Sequence, residues 1–176
     1  MAVAGLGAIV AILILFGVSY IANQLETIED KIAYKPPAAA TEALPVVYDG
    51  KRHAIYVPAY SHIYSRGGQA FMLEVTLSVR NTDPEHEIRI ERVSYFDTKG
   101  DEIRSFDGAA IRLGPLETVS YLVEAGDIAG GSGANFIVEW AADGEVNAPI
   151  AEAVMTGIDG THQLSFASRG KPIARH

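Results

Sequence analysis

Apolar and polar residues follow three rhythms along this chain. Ala2 to Ala22, AVAGLGAIVAILILFGVSYIA, is apolar throughout apart from Ser19 and Tyr20. A helix of that length rises about 32 Å, which matches the hydrocarbon core of a bilayer. Tyr20 stands where an amphipathic ring anchors at the membrane interface. Beyond it Ile21, Leu25, Ile28 and Ile32 recur as one helical stripe, with Glu26, Glu29, Asp30 and Lys31 on the other face. The pattern predicts a single transmembrane anchor with an amphipathic extension over residues 1–33, its stripe lying against the membrane or a partner. Pro36 and Pro37 stop the helix, and KPPAAATEALP reads as a semi-extended linker within 34–46.

From residue 47 the period becomes two. In FMLEVTLSVR, Phe71, Leu73, Val75, Leu77 and Val79 fall on one face, with Glu74, Thr76, Ser78 and Arg80 on the other. Asn81–Pro84 is a turn cluster, EIRIERVSYF resumes the alternation at Ile88 and Ile90, and Asp97–Gly100 is a hairpin connection with Gly100 placed for a left-handed backbone. Further strands are read in AIYVPAYSHIY, EIRSF, AAIRL, TVSYLVEA, ANFIVEWAA, IAEAVMTGI and HQLSFAS. Roughly nine short strands punctuated by turns predict an all-β domain over 47–174, of immunoglobulin or fibronectin type III style, a β-sandwich.

Composition narrows the chemistry. The first 25 of the 176 residues carry no charged side chain, and the apolar run exceeds the roughly 7–15 residues of a signal peptide's core, so the segment reads as a retained anchor. The chain has no cysteine, which excludes disulfides, thiol nucleophiles and thiolate metal sites. A net charge of −8 gives nucleic acid no electrostatic footing. The exception is the tail, where Arg169, Lys171 and Arg175 occur without an acid. Lys31 and Lys35 follow the apolar helix and none precedes it, which by the positive-inside rule favours a cytoplasmic domain.

Candidate site residues fall in two stretches. At strand period Tyr60, His62 and Tyr64 share a face, as a ligand pocket or a metal site would use them. GGSGANFIVEW brings Gly131, Ser132, Gly133 and Asn135 to a turn before a strand ending at Trp140. A nucleophile elbow, a dinucleotide fingerprint and a phosphate loop each require residues or a following helix that this stretch lacks. It reads as a tight turn that lets two backbones approach, with its exposed amides and Asn135 available to another molecule. His62, Met72, Met155 and His162 could assemble a copper site only through the fold, and a Ser132/His162/Asp159 triad rests on residue identity alone. No cofactor, metal site or catalytic residue is assigned, and the domain is read as a non-enzyme.

In order and spacing, YVPAYSHIY, LSVRNTDP, YFDTKG, GGSGANFIVEW, NAPIAEAVM and LSFASRG resemble the bacterial domain of unknown function 3124 family. The likeness runs from about Ala54 to Lys171. Members look like exported proteins or lipoproteins, which implies an extracytoplasmic domain, here with a membrane helix in place of a lipid-bearing cysteine. The family carries no established activity and transfers no site residue. The expectation is therefore a single-pass inner-membrane protein with a periplasmic domain, acting as an interaction or accessory subunit of a membrane protein complex. The alternative is a small-ligand or metal-binding module using the YSHIY and GGSGAN stretches.

Overall fold

A computed structural model describes residues 12–25, 34–37, 52–106 and 110–174. Residues 2–11 of the expected span, Ile28 and Ile32 of its stripe, the linker beyond Pro37, and Arg175 lie outside the described residues. The chain falls into two units, Met1–Lys35 and Pro36–His176. In the first, residues 12–25 form a helix whose large apolar side chains, Ile21 and Leu25 among them, are exposed. Tyr20 accepts a hydrogen bond from Gln24 Nε2 one turn on (3.0 Å). Among the described residues no helix is long and apolar enough to cross a membrane.

The second unit is all-β. In chain order its strands are β1 (His53–Pro58), β2 (His62–Ser65), β3 (Gln69–Met72), β4 (Glu74–Arg80), β5 (Ile88–Phe96), β6 (Glu102–Ser105), β7 (Ile111–Leu113), β8 (Thr118–Val123), β9 (Asn135–Ala141), β10 (Ile150–Asp159), β11 (His162–Arg169) and β12 (Lys171–Ile173). One sheet runs β12-β1-β9-β5-β6, with β7 also paired to β5; a second runs β11-β10-β4-β8; β2 and β3 form a separate hairpin. All the pairings are antiparallel.

Both sheets feed one core. The alternation of β4 buries Leu77 and Val79 beside Val75, with Leu73 just before the strand, while Phe71 is half-buried on β3. Ile55 and Val57 of β1, Phe136 and Val138 of β9, and Tyr121 and Val123 of β8 join the same cluster. In β5 the buried positions change parity, from Ile88 and Ile90 to Val93 and Tyr95. The cause is a bulge: the register against β9 shifts between Ile90 and Arg92, so Glu91 is looped out and the inward face moves on by one residue.

Two expected strands are shorter than their sequence patterns. AIYVPAYSHIY is split into β1 and β2. Between them the Ala59 amide donates to the Ala134 carbonyl (2.8 Å) and the Ser61 amide to the Gly131 carbonyl (3.0 Å), which turns the backbone away from its β9 partner. FMLEVTLSVR is broken at Leu73, whose amide donates to the Ser61 carbonyl (2.9 Å). The last strands cross between sheets at Gly170, whose amide donates to the Ala151 carbonyl (2.8 Å). A Cβ at that corner would lie 2.6 Å from Ile55 Cγ2 and 2.9 Å from both Val57 Cγ2 and the Ala151 oxygen.

Candidate functional site

The GGSGAN stretch forms a single 3-10 turn, Gly131–Gly133, leading into β9. Its glycines answer to two side chains of the facing hairpin. A Cβ on Gly130 would sit 2.0 Å from Tyr95 Oη, and one on Gly131 would sit 2.5 Å from Thr98 Oγ1. Gly131 also has φ +72°, where side chains are strained. Thr98 closes the turn: its amide and its hydroxyl both donate to the Gly130 carbonyl (3.1 Å each), and its Oγ1 accepts from the Gly133 amide (3.0 Å). The Gly131 amide is likewise used internally, on the Ile128 carbonyl (3.2 Å). Asn135 opens β9, half-buried and opposite Pro58 of β1.

The YSHIY residues are partly gathered. His62 and Tyr64 meet edge to face (5.2 Å between ring centroids), whereas Tyr60 lies outside β2 and packs against Phe166 (5.8 Å). Ser61, between them, is buried and its Oγ lies 2.8 Å from Tyr95 Oη. Burial pushes the Tyr95 hydroxyl's pKa up, an effect the Ser61 bond opposes. The YSHIY and GGSGAN stretches are adjacent through the Ser61–Gly131 backbone bond.

Of the copper candidates, His62 pairs with Met72 across the β2–β3 hairpin, while Met155 is fully buried in the core. His162 accepts a bond from Arg66 Nη2 at Nδ1 (2.9 Å), and Arg66 also reaches Asp159 (3.4 Å). Among the described residues, no group of three or more His, Asp or Glu side chains is placed to hold a metal ion. Arg169 of the basic tail lies 3.9 Å from Glu152, which also pairs with Arg80 (3.3 Å).

A groove of about 580 Å³ lies elsewhere, lined by β1, β9, β12 and the loop after β9. His53 and Trp140 are directly opposite in the β1–β9 register, and their rings stack at 4.5 Å and 21°. Ala142, Val146, Pro172 and Ile173 supply apolar walls, and Glu145 also lines it. Trp140 is itself nearly covered, whereas His53, Pro172 and Ile173 are exposed.

What makes this groove a candidate site is how its loop is fixed. Arg89, buried on β5, grips Asp143 with both terminal nitrogens (3.2 and 2.9 Å). The Arg89 bond and charge hold the Asp143 carboxyl below the usual carboxylate range. At the loop's far end the Asn147 amide donates to Asp83 Oδ2 (3.0 Å) and Thr82 Oγ1 to the Ala148 carbonyl (3.0 Å).

Asp83 is a hub. Its Oδ1 accepts from the amides of Glu85 (2.9 Å) and His86 (2.8 Å), and His86 Nδ1 lies 3.0 Å away. The Asn147 amide first, then the Glu85 and His86 donors, hold its carboxyl well below the usual range, against the opposing effect of burial. Asn81 locks the same segment from inside, donating to the carbonyls of His86 (2.7 Å), Leu113 (3.2 Å) and Gly114 (2.9 Å) while accepting from the Asp83 amide (2.9 Å). The NTDP turn is thus a polar clamp behind one wall of the groove. Sequence reasoning missed His53 and the clamp, because both depend on partners far along the chain.

A family model described as "Protein of unknown function (DUF3124)" matches residues 52–173. No curated protein matches the chain. The crystal structure of Thermotoga maritima 1070 is similar at 11% identity and a TM-score of 0.41, over 70% of this chain and 96% of that one.

Proposed function

The chain belongs to that family, which brings no activity with it, and on that footing we propose a membrane-tethered accessory domain whose His53–Trp140 groove receives a partner protein. The carrying observation is the groove's prefixed wall. Arg89, Asp83 and Thr82 tie down both ends of an exposed loop beside an aromatic stack. A wall ordered before binding reduces the entropy that association must overcome. The absence of charge over the first 25 residues and the exposed apolar side chains of residues 12–25 support the tether. On this reading the domain is an immunoglobulin-like β-sandwich on the periplasmic side of an inner membrane, and its stripe of Ile21, Leu25, Ile28 and Ile32 meets membrane or a neighbouring subunit.

A photo-crosslinking side chain placed at Ile173 of the full chain, in cells, tests the reading. It should yield a discrete adduct with a membrane-complex subunit, and a matched probe at Glu124, an exposed residue outside the groove, should not. Equal labelling from both positions, or a domain shielded from protease added to spheroplasts, would sink it. The second reading, a ligand or metal module, draws its support from the Ser61–Gly131 bond that brings YSHIY and GGSGAN together. It is the weaker of the two, since Thr98 and Ile128 already occupy the amides of Gly133 and Gly131.

A further inference from the structure

The edges of the two sheets are not alike. β12 is three residues long and contains Lys171 and Pro172; β6 is four residues long and carries Glu102 and Arg104, each in an ion pair. Short length, proline and charge are the devices that keep a sheet edge from pairing with another chain. β11 has none of them along its centre. It runs for eight residues, HQLSFASR, and among the described residues its only strand partner is β10, in unbroken register from Glu152↔Arg169 to Asp159↔His162. Gln163, Ser165 and Ala167 are exposed and uncharged, alternating with half-buried Leu164, Phe166 and Ser168.

We propose that β11 is a self-association edge. Two copies pair antiparallel through it about a twofold axis at Ser165, joining two four-stranded sheets into one. The occupant is a second copy because this strand is complementary to itself. With Ser165 on the axis, Leu164 lies beside the partner's Phe166 on the inner face. Gln163 lies beside the partner's Ala167 on the outer face, and His162 beside the partner's Ser168. Inward residues meet inward ones, and a slip of one residue would oppose each apolar side chain to a solvent-facing one. Charge agrees. The chain carries −8 overall, but no acidic residue occurs from Gly160 to Ala174, so this edge can approach its copy without the repulsion other faces would meet. The cations at the strand's end do not meet: Arg169 falls opposite the partner's Thr161 and is drawn towards Glu152 of its own sheet.

The absence of native cysteine makes a direct test available. Across an antiparallel pair, Cα atoms lie about 4.5–5.5 Å apart, within the roughly 4.4–6.8 Å that a disulfide spans. Ser165→Cys in the full chain, solubilised in mild detergent and gently oxidised, should give a disulfide-linked species of twice 18.8 kDa. It should form at least about tenfold faster than from Thr156→Cys, exposed on the next strand inward, where the twofold leaves the two sulfurs too far apart. Ser165→Lys, which sets two ammonium groups at the axis, should shift the untreated chain from dimer towards monomer in sedimentation. Equal rates for the two cysteine variants overturn the proposal. So does faster linkage from Ala167→Cys than from Ser165→Cys, or a wild-type chain that sediments as a monomer at every concentration. In that last case the edge is left for a strand of some other protein.

Discussion

Replacing Gly130 by alanine isolates the physical reason for the glycine run. Gly130 has φ −68° and ψ −29°, a conformation alanine adopts freely. On backbone grounds alone Gly130→Ala should stabilise the fold, by about 0.4–1 kcal/mol through the unfolded chain's lost entropy. The structure predicts the reverse. The new methyl would lie 2.0 Å from Tyr95 Oη, 2.6 Å from its Cζ and 2.8 Å from Ala134 Cβ. Tyr95 has no room to retreat, being fully buried with its ring 4.8 Å from that of Phe136. Overpacking of this kind costs about 1–3 kcal/mol. Displacing the hydroxyl from Ser61 adds about 1 kcal/mol more. The net loss should be about 1–3.5 kcal/mol, read as a lower urea midpoint at unchanged slope. Tyr95→Phe alone should cost about 1–2 kcal/mol by leaving the Ser61 hydroxyl unpaired. Because it removes the nearest clash, the double variant should fall short of the sum by about 1 kcal/mol. A neutral or stabilising Gly130→Ala, or strict additivity with Tyr95→Phe, would refute the close-approach account.

Two further predictions concern the clamp and the corner. Asp83 has its pKa lowered by folding, so its bonds stabilise the domain above the unfolded carboxylate value near 4 and lose that effect as pH falls through the folded value. Thermal melts from pH 7 to 3 should therefore show Asp83→Asn less stable than wild type at neutral pH, with the gap beginning to narrow below about pH 4; a constant gap would contradict the assignment. Gly170→Ala should cost about 1–3 kcal/mol by driving a methyl against Ile55, Val57 and the Ala151 carbonyl, measured by the same urea titration, and a neutral result would show that the corner can open.

How much of this was legible in sequence varied with the range of the interaction. The inward face of β4 could be read directly, because a period of two is local and Val75, Leu77 and Val79 obey it. Gly100 was equally readable as a left-handed turn residue, and it has φ +89°. The glycines before β9 could be recognised as a close-approach turn, since every neighbour that phosphate binding requires was missing. That they clear space for Tyr95 and Thr98 could not, because the approaching side chains belong to another hairpin. The same limit hid the bulge at Glu91, which exists only relative to β9, and it merged β1 with β2, whose division depends on carbonyls of Gly131 and Ala134. The groove was the least legible feature. His53 looked like one of five scattered histidines until β1 lay against β9 and put it over Trp140. Asn81 and Asp83 looked like turn formers, and they are, but their side chains also fasten segments as distant as Leu113 and Asn147.

The corner at Gly170 sets the order in which the domain can be made. β1 lies between β9 and β12, so it has no strand partner until Asn135–Ala141 has been synthesised, and its second arrives only with Lys171–Ile173. Loop closure over such spans precedes any gain from pairing, which places this topology among the slow folders. While the chain emerges, β1 has no strand partner before β9 is made, and its other flank stays open until the last strand is released. Folding is in this sense an act of completion: the C-terminal residues tie one sheet to the other, and a chain stopped short of them would leave β1 bare on that flank.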